Sequence, residues 1–402
     1  MNINRIIQIY APLNVQKEEK THIKNFASKL DSNKPGVFYP STYYMTSGVA
    51  FCAQNVEIIE LMKKVAPKNV PEKLTKLFEQ MSNTVQNNVK EVVKNFNIED
   101  LTLNNYIQAC IKHVQLFYQS PKTTENNVKG IVDIFKNEGV TIKDYISACL
   151  KQPQLFYQSP ETIENNVKGL VEIFKSEGLT LKDYLSACLK QPPLFCLKPE
   201  TIENNIRNLA EKFSTEGLTP KDYISVCVRQ PQLFYQSPET IENNVKNLIE
   251  RFKINGLTSK DYVQACQKQP PLFCQKPDTI AQHIDIIRFS KFNTGHQTDT
   301  PSFWQKLLND PVQLSYSNSL LLTRDLIIPK MFEGTKTPKE LKGKQLKQKL
   351  NNYLKKNTDK KFVLNIKEMR TDTDCINILS EYLEKLTSEL GIPNDTFKIN
   401  IN

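Results

Sequence analysis

The chain has 402 residues, room for two or three domains, and its 39% hydrophobic and 24% charged residues exclude a wholly disordered polymer. The formal net charge is +10, and nine cysteines without a Cys-x-x-Cys pair argue against a disulfide scaffold or a zinc ribbon. No apolar run approaches the ~20 residues of a membrane helix, and neither a phosphate-cradling glycine loop nor His-Glu-x-x-His occurs.

Residues 1–50 are rich in Asn, Lys and Tyr, with turn signals at Asn33-Lys34-Pro35-Gly36 and Pro40-Ser41-Thr42, and read as an irregular extension. Ile6 to Val15 is apolar in patches, but Pro12, Asn14 and the lack of a small-residue cleavage site argue against a secretory signal. A leading helix is expected within residues 51–72, carrying Val56, Ile59, Leu61 and Met62, and a further helix begins at Pro71.

From residue 73 to about 290 one sentence repeats every thirty-nine residues. A tyrosine recurs as Tyr106, Tyr145, Tyr184, Tyr223 and Tyr262, a cysteine as Cys110, Cys149, Cys188, Cys227 and Cys266. A Leu-Phe pair recurs from Leu116-Phe117 to Leu272-Phe273, and Leu77-Phe78 with Asn87-Asn88 forms a divergent half-repeat ahead of the first full unit. A fixed period of this length implies a solenoid, because each unit buries its apolar face only by stacking on its neighbours. Within a unit, Ser237-Pro238-Glu239 supplies an N-cap, an N1 proline and a first-turn acid. Ile241, Val245, Leu248 and Phe252 then make one apolar stripe of a longer helix, which Gly256 can end in a left-handed conformation. Thr258 and Asp261 cap a shorter helix that buries Tyr262, Val263 and Cys266 and must stop at Pro270. Pro270-Pro271-Leu272-Phe273 is too short for another α-helix and predicts a 3₁₀ turn that drives Leu272 and Phe273 inward. The fold class is therefore all-α, a right-handed-type α-solenoid of five to six units.

After Phe273 the pattern decays at Gln282-His283, with a last echo at Asp310-Pro311-Val312-Gln313-Leu314. Thr300-Pro301 opens a short helix with Phe303, Trp304 and Leu307, and Ser319 to Phe332 predicts another. A lysine-rich helix follows through Leu341, Leu346, Leu350 and Leu354, then a strand at Phe362–Ile366, a helix to Leu390 and a second strand at Phe397–Ile401. Residues 291–402 thus form a basic C-terminal region, either a helical end cap or a small α+β unit.

The run from Leu233 to Phe273 resembles the repeat of the mitochondrial transcription termination factor (mTERF) family. The shared cadence is Pro-x-Leu-Phe, Ser-Pro-Glu-Thr-Ile opening a helix, an apolar stripe, and Gly-Leu-Thr-x-Lys-Asp-Tyr opening the next. It stands at Pro153, Gly178, Pro192, Gly217, Pro231, Gly256 and Pro270, and the resemblance covers residues 74–290. It implies a curved helical array that binds double-stranded DNA or structured RNA without catalysis. The unit here is longer than that family usually shows, and Glu18 and Glu19 with scarce arginine do not read as an organelle transit peptide.

Charge is unevenly placed: residues 100–255 sum to zero, whereas Lys330 to Arg370 alone carry +9. Three basic columns run in register. Lys112, Lys151, Lys190, Arg229 and Lys268 close the short helices, with no acid four residues earlier; they suit one phosphate contact per repeat or a cation complementing the helix C-terminus. Lys90, Lys129, Lys168, Arg207 and Lys246 lie on the long helices; from Lys129 on, each follows a glutamate four residues back, which favours plain helix ion pairs. Lys143, Lys182, Lys221 and Lys260 sit beside aspartates as a solvated face. Lys344, Lys347, Lys349, Lys355 and Lys356 add a basic helix beyond the array. At the turns, Gln154/Tyr157/Ser159 and Gln232/Tyr235/Ser237 switch together to Pro193/Cys196/Lys198 and Pro271/Cys274/Lys276, either a readout code or the trace of a duplicated two-repeat block.

His22, His113, His283 and His296 share no motif, the Asn-Asn pairs on the long helices read as exposed or capping residues, and no catalytic, metal-ligating or cofactor-binding set is expected. The reading is a non-enzymatic, monomeric helical-repeat protein of the bacterial cytosol or nucleoid that binds nucleic acid and regulates transcription or RNA metabolism. The rival is a protein-interaction solenoid, such as a secreted effector of a host-associated bacterium, favoured by the neutrality of residues 100–255.

Overall fold

Six times in succession the chain makes a long helix, a shorter helix and a one-turn 3₁₀ segment. This computed structural model describes residues 83–298, 300–331, 343–370 and 373–402, all within one compact unit, Glu57–Asn402. The expected N-terminal extension (1–50) and leading helix (51–72) lie outside the described residues.

The long helices are α1 (Asn83–Phe96), α3 (Pro121–Phe135), α5 (Pro160–Ile173), α7 (Pro199–Lys212), α9 (Pro238–Phe252) and α11 (Pro277–Asn293). The short ones are α2 (Leu103–Lys112), α4 (Ile142–Lys151), α6 (Leu181–Lys190), α8 (Pro220–Arg229), α10 (Ser259–Lys268) and α12 (Pro301–Asn309). The 3₁₀ turns span Val114–Phe117, Pro153–Phe156, Pro192–Cys196, Pro231–Phe234, Pro270–Phe273 and Pro311–Ser315. Long helices pack on long and short on short, so the array has two layers with one core between them.

The boundaries follow from local chemistry. The Ser120, Ser159 and Ser237 hydroxyls accept the backbone N–H three residues on, each just before a proline at N1. The short helices open on Thr102, Thr141, Thr180, Thr219 and Thr258; Thr219 and Asp222 complete a reciprocal capping box. Gly217 has φ +88° with nothing within 4 Å of where a Cβ would stand, so its backbone angle rather than space requires glycine. In the first unit Asp100 occupies that register, and the left-handed residue moves back to Asn97, φ +46°.

Stacking is directional. Four short-helix tyrosines set their rings edge-on against the turn phenylalanine of the next repeat: Tyr106–Phe156, Tyr145–Phe195, Tyr184–Phe234 and Tyr223–Phe273, with centroids 5.3–5.9 Å apart. Such pairs contribute about 0.5–1.5 kcal/mol each beyond area burial. The hydroxyls of Tyr184, Tyr223 and Tyr262 donate to the carbonyls of Leu194, Leu233 and Leu272, whereas those of Tyr106 and Tyr145 are buried without such a carbonyl. The column cysteines fill the same core, and burial pushes their thiols well up.

The Asn-Asn pairs are not simply exposed. In three of them the second asparagine donates its amide to the phenylalanine carbonyl of the next turn: Asn127 to Phe156 at 3.3 Å, Asn166 to Phe195 at 3.1 Å, Asn205 to Phe234 at 3.5 Å. His283 keeps this register, its Nδ1–H donating to the Leu314 carbonyl at 2.6 Å, so the apparent decay at Gln282-His283 conserves the bond with a different donor.

Beyond the last turn come α13 (Asn318–Leu322), a π-helical turn (Thr323–Ile327) and α14 (Ile328–Met331). A basic helix α15 (Gly343–Lys356) buries Leu346, Leu350 and Leu354. Strand β1 (Phe362–Ile366), helix α16 (Cys375–Leu390) and strand β2 (Phe397–Ile401) form a βαβ unit, its two strands parallel and paired from Phe362↔Phe397 to Ile366↔Ile401. Polar contacts dock it on the array. The Tyr382 and Thr323 hydroxyls meet at 2.7 Å, and Thr373 donates to Asp285 at 2.8 Å. Asn293 accepts from the Lys367 N–H at 2.7 Å and donates to its carbonyl at 3.2 Å. The C-terminal region is thus a small α+β element that also caps the array.

Candidate functional site

Each repeat compresses three features into one short stretch: the basic residue that ends the short helix, the 3₁₀ turn, and the N-cap of the next long helix. Stacking the repeats lines these stretches into a single edge of the array. The turn forms because proline ends the short helix and the following Leu-Phe pair is pulled inward; both are buried in every copy, which turns the next side chain outward.

Lys112, Lys151, Lys190, Arg229 and Lys268 are all exposed on this edge. Among the described residues no carboxylate lies within ion-pairing distance of any of them. The Arg229 guanidinium donates to the carbonyls of Lys268 (3.1 Å) and Gln267, the end of the next short helix, and Lys268 reaches Asn309 Oδ1 at 3.4 Å. Arg229 and Lys268 therefore touch, and Arg229 complements the C-terminus of α10 while its Nε also donates to the Ser225 carbonyl of its own helix at 3.3 Å. Lys268 also lines a groove of about 290 Å3 with Asp261, Gln264, Trp304 and Asn309, where the chain departs from its period.

The long-helix column behaves differently. Lys129–Glu125 and Lys168–Glu164 pair at 2.5 Å, Arg207–Glu203 at 2.8 Å and Lys246–Glu242 at 2.6 Å. Glu242 also takes Lys212 of the preceding long helix at 2.5 Å, and the two lysines hold its carboxyl below the usual range. These exposed pairs contribute little, about 0.3–0.5 kcal/mol each, and consume the charge of that face. In the third column Lys143 meets Asp100 at 3.4 Å.

The switching residues contact one another across turns. Gln154 lies beside the Cys196 thiol of the next turn, and Gln232 beside the Cys274 thiol; burial pushes Cys196 up to about 11. Tyr157 and Tyr235 reach back 3.5 Å to His113 Nδ1 and Gln191 Oε1, each directly after a column lysine. His113 is driven below its ordinary pKa, chiefly by burial and further by Lys112. Lys198 and Lys276 stand exposed at the N-caps of α7 and α11 without a side-chain cap, where the other long helices from α3 to α9 have serine. Tyr118, in register with Tyr157 and Tyr235, belongs to the same set; its place in the repeat is the signal that identifies it.

On α15, Lys349, Lys355 and Lys356 are exposed and Lys347 is half-buried, opposite the leucine face; the Lys344 side chain lies outside the described set. The structure does not merge this helix with the turn edge into one cluster. The described histidines sit apart, His113 against Tyr157, His283 against Leu314 and His296 against Thr294. Among the described residues no group of three or more His, Cys, Asp or Glu is placed to hold a metal, and no helix is long and apolar enough to cross a membrane.

Residues 50–303, more than half of the chain, match the family model described as mTERF. No curated protein matches the chain.

Proposed function

The chain belongs to the mTERF family, and on that premise we propose that it is a non-enzymatic helical-repeat protein that binds nucleic acid and acts in transcription or RNA metabolism. One observation carries the reading: the basic column Lys112, Lys151, Lys190, Arg229 and Lys268 is exposed and free of acidic partners among the described residues, while the long-helix column is neutralised pair by pair. A column kept solely for helix stability gains as much from i,i+4 glutamates as from helix ends, and this one has none. The basic helix α15, with Lys344, Lys347, Lys349, Lys355 and Lys356, adds sequence-independent attraction for phosphate.

Gel-shift titration at about 50 mM salt, with DNA and RNA probes in single- and double-stranded form, tests the reading. Binding should weaken steeply with salt and on changing Lys151 and Lys190 to Gln, and should not respond to Lys168→Gln. Failure of every probe to bind, or equal losses from the two columns, refutes it.

A further inference from the structure

The turn edge carries more than cations. Tyr118 is 58% exposed and Tyr235 39%, and Val114 and Val312 are the other large apolar side chains left open on the turns. Tyr235 and Tyr157 are held by the Gln191 and His113 contacts, each immediately after Lys190 and Lys112. Tyr157 and Tyr235 are therefore each tied to the residue that follows the column lysine of the repeat before. Where the turn has cysteine in place of tyrosine, at Cys196 and Cys274, the N-cap two residues on is lysine in place of serine. Reading along the edge, the positions run Tyr118, Tyr157, Lys198, Tyr235, Lys276. Lysine at an N-cap gives up the hydroxyl that bonds the helix N–H and puts a positive charge at the positive end of the helix dipole, so helix stability does not account for it.

We propose that this edge is a track for single-stranded nucleic acid, with bases stacking on Tyr118, Tyr157 and Tyr235 and phosphates met by the short-helix basic column together with Lys198 and Lys276. The proposal rests on the nucleic-acid reading above and narrows it. Exposed ring faces are useful to unstacked bases and of no use to bases already stacked in a duplex. The charge density agrees. Helices packed about 8–10 Å apart meet roughly five or six duplex charges per repeat, a duplex carrying about one per 1.7 Å. The edge offers one or two cations per repeat, which suits a single strand, and residues 100–255 carry no net charge to make up the difference.

The test uses the full chain and fluorescence anisotropy. A labelled mixed-sequence oligonucleotide long enough to span five repeats, as RNA and as DNA, is compared with its own duplex. Two double variants, Tyr118→Ala/Tyr235→Ala and Lys198→Ser/Lys276→Ser, are titrated alongside, and each is also melted thermally. The single strand should bind at least about tenfold tighter than its duplex. Because stacking is worth at least about a fivefold change per base, the tyrosine double variant should lose about twenty-five-fold or more with an unchanged melting temperature. The serine double variant should bind the strand several-fold more weakly while melting at a higher temperature, since serine restores the caps.

A duplex bound as tightly as the strand overturns the track and leaves the broader reading standing; binding to neither overturns both. Unchanged affinity in the tyrosine variant removes the stacking role. A serine variant that melts lower would make Lys198 and Lys276 structural and remove them from the track.

Discussion

Replacing Asn166 with alanine tests whether the array is held by its buried amide bonds or by packing alone. The Asn166 amide donates to the Phe195 carbonyl at 3.1 Å; the asparagine is 9% exposed and Phe195 is fully buried. The bond itself is worth about 0.5–1.5 kcal/mol net, but alanine also strands a carbonyl that water cannot reach, which raises the cost to about 1–3 kcal/mol. At about 2.1 cal/mol/K per residue a unit of this size shifts by roughly 1.4 °C per kcal/mol, so the midpoint should fall by roughly 1–4 °C. Solenoid stability is a sum of unit and neighbour terms, so the loss is local to the unit formed by α5, α6 and the turn Pro192–Cys196. Urea unfolding followed both by far-ultraviolet circular dichroism and by the single tryptophan, Trp304, which packs against Phe252 beyond that unit, should show the two signals separating in the variant. Asn166→Asp is the control for donor character. A carboxylate facing a carbonyl repels it, so this variant should be at least as unstable as alanine at neutral pH and recover as the acid protonates. The Asn205 bond is longer, 3.5 Å, and its alanine variant should cost less. An Asn166→Ala variant that unfolds within about 0.5 kcal/mol of the parent, or an Asp variant as stable as the parent, would refute the role given to these bonds.

Two further predictions concern groups in the same core. Tyr223→Phe removes a hydroxyl bonded to Leu233 at 3.2 Å and should cost about 1 kcal/mol, whereas Tyr145→Phe removes a buried hydroxyl with no partner and should be neutral or stabilising; equal effects in denaturant melts would contradict the difference. Burial holds the His283 pKa below its ordinary 6.5, so the unfolded chain takes up the proton first. Its contribution is complete above about pH 6.5 and is lost as pH falls below that value toward the folded pKa, a slope that His283→Asn should remove while keeping the donor to Leu314. Stability measured from pH 5 to 8 checks this, and a parent whose slope matches the asparagine variant's would rule it out.

Much of the scaffold was legible because it rests on residues whose backbone effects are local. Proline ends the short helix, serine and threonine start the next, and glycine at positive φ turns the chain, all within a few residues of one another. The amide bonds were not legible in that way. Asn166 on a helical wheel is a polar residue beside a buried stripe; its acceptor is a carbonyl 29 residues away that comes within reach only once the short helix and turn have folded back on the long helix. His283 was hidden for the opposite reason, since a changed residue type in an unchanged register looks like decay. The two strands and the helix between them were legible, but their parallel pairing was not, because a long helix-containing connection allows either direction. On the turn edge, the exposure of the basic column followed from helical phase. Arg229 gripping α10, and Tyr235 lying against Gln191, depend on spacing between repeats that no single unit encodes.

The forward direction of the amide bonds bears on how the chain is made. Asn127, Asn166, Asn205 and His283 each wait for a carbonyl 29 to 31 residues later in the sequence. At about 5–20 residues per second of synthesis, that is a delay of about 1–6 s during which the newest unit has an uncovered tyrosine face and an unsatisfied donor. The four units that carry these donors pass through this state in turn. The delay ends only at the βαβ unit, where Thr323 meets Tyr382 and Asn293 closes on Lys367. A nascent chain arrested before Phe362 would therefore be the species most exposed to proteolysis and self-association.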